Sequence, residues 1–144
     1  MDTLPRRRFL TASAVALTVA STGCIGGGGA EPEEVEVSGG TTVEFEGHAS
    51  GWLGVEPDAV DGVRNPTLVL EEGESYVLSF VNADGAPHDI GVRDAEDDVV
   101  DGLVSDRVST KGEGTSLELT ASGEMEEYVC SFHRSSQSGR LVVE

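Results

Sequence analysis

The carboxyl-terminal stretch "YVCSFHRSSQSGRLVVE" (128–144) decides how the rest of the sequence is interpreted. Tyr128, Cys130 and Phe132 alternate in the manner of a β-strand with one buried face. A polar loop follows, and "RLVVE" closes the chain as a second short strand. His133 comes three residues after Cys130, where strand gives way to loop. In a turn, this spacing can bring a thiolate and an imidazole onto one metal ion.

A second histidine stands at the end of another predicted strand. The segment "SYVLSFVN" (75–82) alternates apolar residues on each face, and His88 follows it directly after Ala86–Pro87. If the two strand ends lie at the same pole, His88, Cys130 and His133 can form a trigonal set of ligands. A trigonal site of two histidines and one cysteine with a weak axial ligand is typical of copper sites that transfer electrons.

The remaining sequence predicts an all-β domain over residues 35–144. Short apolar or alternating runs, such as 67–70 and "TSLELT", are separated by turns rich in Gly, Asp, Asn and Glu. No long helical period appears. About eight strands at this spacing indicate a β-sandwich. Residues 52–66 are expected to form an irregular connection with at most one helical turn, and Trp52 is expected in the core.

Three segments resemble one known family. "NPTLVLEEGESYVLSFVN" (65–82), "FVNADGAPHDIGV" (80–92) and the stretch 128–144 are similar to the ligand-bearing segments of the cupredoxins, especially plastocyanin-like and halocyanin-like domains. The resemblance extends over about residues 50–144. It implies a Greek-key β-sandwich that binds one type 1 (blue) copper ion and shuttles single electrons between redox proteins.

The resemblance also implies a ligand set and one departure from the family. His88, Cys130 and His133 match the equatorial ligands. The family usually has an axial methionine two residues before a glycine, and here Gln137 precedes Gly139 by two residues. Met125 is a poor substitute because strand alternation from Cys130 directs it to the opposite face. Gln137 is therefore predicted to bind copper weakly through its side-chain oxygen, an accepted axial alternative. It should give a lower reduction potential than methionine.

A second departure follows the first histidine, where the family often has asparagine and this chain has Asp89. The backbone N–H of Asp89 is expected to face the cysteine sulfur, and an ionised carboxylate near copper would favour Cu(II). Asn82 either gives a supporting hydrogen bond to the site or simply stabilises a turn. His48 remains without an assigned role.

Other functions fit parts of the sequence. A copper-binding module for storage or delivery, without redox cycling, would use the same ligands, and a metal-free β-sandwich for adhesion would use none. Each of the three ligand residues taken alone is commonly a turn, surface or buried structural residue. No nucleophile motif marks a catalytic site. A saturated mononuclear site leaves no position open for a substrate, so the chain is not expected to be an enzyme.

The amino-terminal residues predict export and a lipid anchor. Residues 1–23 contain paired arginines before a short, weakly apolar run, which resembles a twin-arginine signal peptide. Small residues then precede Cys24, which resembles the lipidated cysteine of a lipoprotein. The Gly- and Glu-rich segment 24–34 is predicted to be a flexible tether. The protein is therefore expected at the extracytoplasmic face of the cell membrane.

The charge of the chain excludes one class of partner. The whole sequence carries a formal net charge of -18, from 9 basic and 27 acidic residues. Removing 1–23 takes away three arginines and one aspartate, which leaves 6 basic against 26 acidic residues and a net charge of -20. Such a charge repels nucleic acid. It favours a halophilic source, because molar salt screens the repulsion. The predicted partners are a redox donor and acceptor, and a monomer is expected.

Overall fold

The computed structural model describes residues 33–144, which form ten β-strands and one short 3-10 turn. In chain order the strands are β1 (Glu34–Glu36), β2 (Thr42–His48), β3 (Gly51–Glu56), β4 (Thr67–Leu70), β5 (Ser75–Asn82), β6 (Gly91–Arg93), β7 (Val99–Val104), β8 (Gly114–Thr120), β9 (Glu127–Val129) and β10 (Ser138–Val143). The 3-10 turn, Asp58–Val60, lies between β3 and β4. None of the described residues forms a helix long and apolar enough to cross a membrane.

The strands form two sheets. One has six strands in the order β1-β4-β10-β9-β6-β7, and the other has four in the order β3-β2-β5-β8. The alternation predicted for β5 is present, since Tyr76, Leu78 and Phe80 are buried while Val77 and Ser79 are partly exposed. The core is filled mainly by valine and leucine, with Trp52 fully buried between Phe45 and Phe80. Burying one face of each sheet against the other stabilises this arrangement.

The prediction for residues 52–66 was wrong in its first part. Residues 51–56 form β3, which pairs antiparallel with β2 and brings the number of strands to ten. Gly51 and Gly54 interrupt the alternation by which strands are identified from sequence. Gly54 is required by close packing, because a Cβ there would overlap the carbonyl oxygen of Val60. The expected helical turn is present at Asp58–Val60.

The register of β6 with β9 determines where the two predicted ligand segments meet. Gly91 of β6 pairs with Val129 of β9 in antiparallel orientation. The residues just before Gly91 and those just after Val129 therefore lie at the same end of the sheet. His88 and Cys130 are those residues, and His88 is further fixed by an antiparallel bridge to Val108.

The predicted signal peptide (1–23), the lipidated Cys24 and almost all of the tether (24–34) lie outside the described residues. The first strand begins at Glu34, one residue before the predicted start of the domain. The boundary at residue 23 stays a prediction.

Candidate metal centre

Three donor atoms from two distant segments converge at one end of the sandwich. The Sγ atom of Cys130 lies 3.6 Å from Nδ1 of His133 and 4.0 Å from Nδ1 of His88. All three donors lie within 4.8 Å of one another. His88 and Cys130 are fully buried, and His133 is partly exposed. The structure thus brings together the three residues that the sequence proposed as equatorial ligands.

Gln137 completes the group. Its side chain is fully buried, and its Oε1 atom lies 2.9 Å from Nδ1 of His88 and 3.1 Å from Nδ1 of His133. Its Nε2 atom is buried without a hydrogen-bond partner among the described residues. The amide therefore directs its oxygen to the centre of the donor set, which is the orientation an axial ligand needs.

The spacing of the donors fits a bound metal ion. With metal distances of about 2.0 Å to nitrogen and 2.3 Å to sulfur, as for zinc, trigonal geometry separates the two donors by about 3.7 Å. The observed distances of 3.6 and 4.0 Å from the Cys130 sulfur to the two nitrogens lie on either side of this value. A buried cluster of sulfur, nitrogen and oxygen lone pairs is also repulsive unless a proton or a cation lies among them.

Met125 and His48 do not join this group. Met125 is buried and lines a cavity with Ser75 and Thr120, where β5 begins, whereas His88 follows the end of β5. Its exclusion as an axial ligand is therefore supported by its position. His48 is partly exposed, and its Nε2 lies 3.1 Å from a carboxylate oxygen of Glu46.

Backbone hydrogen bonds hold the loop between β9 and β10 in a compact form. The N–H of Cys130 donates to the carbonyl of Gln137 at 3.0 Å, and the N–H of Gln137 donates to the carbonyl of His133 at 2.8 Å. Two side chains join this loop to neighbouring ones: Asn65 donates to the carbonyl of Ser136, and the Ser136 hydroxyl donates to the carbonyl of Ala49. These bonds hold the loop that carries Cys130, His133 and Gln137 in place.

Asp89 supports the cysteine from the other ligand segment. Its buried carboxylate accepts a hydrogen bond from the N–H of Ser131 at 2.8 Å. Burial raises the pKa of the Cys130 thiol, and the charge of Asp89 adds to this rise. The N–H groups of Asp89, Phe132 and His133 act on this pKa in the opposite direction, because they stabilise the thiolate. The expected contact of the Asp89 N–H with the sulfur stays a prediction.

The sequence allowed two roles for Asn82, and the structure shows that it stabilises the turn. Its Oδ1 accepts hydrogen bonds from the N–H groups of Asp84 and Gly85, and its Nδ2 donates to the carbonyls of Ala86 and Val108. All four bonds go to the backbone. Asn82 therefore shapes the loop that delivers the first histidine instead of touching the donor atoms.

Asp84 is a residue of this site that the sequence reasoning missed. Its Oδ1 lies 2.8 Å from Nε2 of His88, on the side of the ring opposite to the donor set. Burial alone raises the pKa of the Asp84 carboxyl, but hydrogen bonds from the N–H groups of Ala49 and Ala86 and from His88 outweigh it and lower this pKa to about 2. An aspartate four residues before a histidine, with Gly and Pro between them, was the available signal.

The surface beside the site is partly apolar. Phe132 is 44% exposed and precedes His133, whose ring centroid lies 5.2 Å from that of His88. Of the two rings, that of His88 is fully buried and that of His133 reaches the surface.

Comparison with known proteins identifies the fold. No family model and no curated protein matches the sequence. Solved structures of similar fold include rusticyanin from Thiobacillus ferrooxidans, at 20% identity over 81% of this chain and 86% of that chain, with a TM-score of 0.54. Another rusticyanin structure, described as a copper protein, matches at 18% identity over 81% and 86% of the two chains, with a TM-score of 0.53. The likeness confirms the predicted cupredoxin-like β-sandwich, and at this identity it concerns the fold alone.

Proposed function

We propose that this chain is a type 1 copper protein that carries single electrons between redox proteins, in the manner of plastocyanin-like and halocyanin-like domains. The observation that carries the proposal is the convergence of Cys130 Sγ, the Nδ1 atoms of His88 and His133, and the Oε1 atom of Gln137. The description of rusticyanin as a copper protein supports the same choice of metal. A soft thiolate with two imidazoles suits copper.

The donor set and its surroundings serve electron transfer. Copper bound there would supply the Cu(II)/Cu(I) couple. The hydrogen bonds within the 130–137 loop, and those that tie it to Asn65 and Ala49, resist rearrangement of the ligands. A site that keeps nearly the same geometry in both oxidation states needs little reorganisation when an electron is gained or lost. His133, the one partly exposed residue of the four, would be the port through which an electron reaches a partner protein.

The same donor set argues against catalysis. His88, Cys130, His133 and Gln137 surround the centre from four directions, and only His133 of the four is partly exposed. A catalytic metal site keeps one position open for water or substrate. The proposed role is therefore that of a carrier and not of an enzyme.

We further propose that the protein works at a membrane surface. The sequence of residues 1–34 supports export, lipidation of Cys24 and a flexible tether. The tether would hold a monomeric carrier at the extracytoplasmic face, close to membrane-bound donors and acceptors. The strongly acidic composition supports a halophilic setting, in which salt screens the charges of carrier and partner.

Adding Cu(II) to the purified protein tests the proposal. We expect one bound copper per chain, an intense visible band from sulfur-to-copper charge transfer and a type 1 EPR signal. Cys130→Ser should lose the visible band, because that band requires the thiolate. A colourless protein that takes up no copper would indicate a metal-free sandwich. Copper that binds but cannot be reversibly reduced at constant occupancy would indicate storage or delivery.

A further inference from the structure

The carboxylate of Asp84 is a junction between two loops and one ligand ring. Its Oδ2 atom accepts a hydrogen bond from the N–H of Ala49, at 2.8 Å, in the turn between β2 and β3. Its Oδ1 atom accepts from the N–H of Ala86 at 3.0 Å and contacts Nε2 of His88 at 2.8 Å. Both oxygens are thus used, and each faces a donor.

This contact determines the tautomer of His88. An ionised carboxylate can only accept hydrogen bonds, so Nε2 of His88 must carry a proton. The neutral ring then has its lone pair on Nδ1, the atom that faces Cys130 and Gln137. Asp84 therefore holds the ring with Nε2 protonated, which leaves Nδ1 as the nitrogen that a bound metal ion would take.

The two histidines of the site differ in this respect. Among the described residues, the polar contacts of the His133 ring all involve Nδ1 and connect it to Cys130 and Gln137. Only His88 has a carboxylate on its outer nitrogen. A carboxylate in that position makes an imidazole a stronger donor and holds its orientation.

We propose that Asp84 is a positioning residue that locks His88 in the Nε2–H tautomer and, through that ring, favours the oxidised form of the copper site. The inference rests on the proposed function, because it concerns the same centre. The charge acts mainly through the ring to which it is hydrogen-bonded. The Asp84 side chain is 30% exposed, and water and salt therefore weaken its effect on more distant groups.

The test compares Asp84→Asn with Asp106→Asn. Asp106 is exposed and lies on the loop whose Val108 pairs with His88, so its substitution removes one nearby charge without altering the ring contact. In Asp84→Asn, an amide NH₂ group replaces one of the two accepting oxygens. This group must face either the N–H of Ala49 or the Nε2–H of His88, and it cannot accept a hydrogen bond from either. We expect Cu(II) affinity to fall about 10–100-fold, as for other residues that support metal-bound histidines.

The reduction potential shows whether the oxidised form is the one that Asp84 favours. Cu(I) is less sensitive to donor basicity, so its affinity should fall less. For each factor of ten by which the loss of Cu(II) affinity exceeds the loss of Cu(I) affinity, the reduction potential rises by about 59 mV. Asp106→Asn should change neither affinity by more than about twofold, because an exposed charge is screened. A potential that moves equally in the two variants, or falls in Asp84→Asn, overturns the proposal.

A spectroscopic measurement tests the hydrogen bond independently of redox behaviour. In the copper(I)-loaded protein, the Nε2 proton of His88 should exchange slowly and appear in the nitrogen-correlated NMR spectrum. It should exchange rapidly in Asp84→Ala, and a proton that stays protected there contradicts the assignment. If Asp84→Ala does not fold, the shift of this proton in Asp84→Asn gives the same answer. If wild-type protein binds copper but does not cycle, the carrier function fails while this measurement still decides the role of Asp84.

Discussion

Replacing Gln137 with methionine should raise the reduction potential of the copper site. The Gln137 oxygen lies about equally far from the two histidine nitrogens, at 2.9 and 3.1 Å, and therefore faces the charge at the centre of the site. A carbonyl oxygen is a harder donor than a thioether and stabilises Cu(II) more than Cu(I). Removing it should favour the reduced form.

The size of this effect follows from the contact that is lost. A buried polar group that interacts with a charge contributes about 1.5–3 kcal/mol. If this contribution belongs to the oxidised state alone, it corresponds to roughly 65–130 mV, at about 59 mV per tenfold change in equilibrium constant. Since Cu(I) keeps part of the attraction and methionine replaces part of it, this range is an upper bound.

The protein should tolerate the substitution. The Nε2 atom of Gln137 is buried without a partner among the described residues, so methionine removes one unpaired polar atom. It also removes the contacts of Oε1 with the two histidine rings, and their loss offsets this gain. The backbone hydrogen bonds of residue 137 remain, so we expect the urea midpoint of the metal-free variant to stay close to that of the wild type.

Spectroelectrochemical titration, with copper content measured in parallel, gives the potential. Gln137→Leu is the matched control, because it removes the oxygen without supplying sulfur. The reduction potential should be lowest with glutamine at position 137, higher with methionine and highest with leucine. An unchanged or lower potential in Gln137→Met would refute the assignment of the Gln137 oxygen as an axial ligand.

Four further outcomes are expected. The Tyr128 hydroxyl is buried and donates to the carbonyl of Pro66, so Tyr128→Phe should lower the free energy of unfolding by about 1–3 kcal/mol in urea, and no loss would show that the bond contributes nothing. Burial raises the pKa of Tyr128 well above its ordinary value of 10.0, so above pH 10 unfolding releases a proton from this residue. The free energy of unfolding should therefore fall as the pH rises above 10, by up to about 1.4 kcal/mol per pH unit. Tyr128→Phe should reduce this slope. Asp89→Ala leaves the N–H of Ser131 without its acceptor and should destabilise the metal-free protein by about 1–3 kcal/mol, whereas equal urea midpoints would contradict this role. Cys24→Ser should move the protein from the membrane fraction to the soluble fraction of cells, and continued sedimentation with membranes would exclude lipidation at Cys24 as the anchor.

Several features of the fold and site could be predicted because they depend on neighbours in the sequence. The alternation in residues 75–82 requires one buried face whatever the strand pairs with, and the structure has that face buried. Cys130, His133 and Gln137 lie in one loop, so their spacing alone limited where their donor atoms could meet. The glutamine in place of methionine was equally visible, because a single residue decides it.

Only the tertiary structure decided the contacts between distant segments. His88 and Cys130 are 42 residues apart, and they meet because Gly91 pairs with Val129, a register that no local pattern specifies. Strand β3 was missed because glycines that fit its packing interrupt the alternation. The role of Asp84 was also hidden from the sequence, because a carboxylate in a loop usually faces water. This one faces an imidazole because the β2–β3 turn and the β5–β6 loop fold against each other. Sequence spacing determines which donors are present, and chain pairing over long distances determines which of them lie within bonding range.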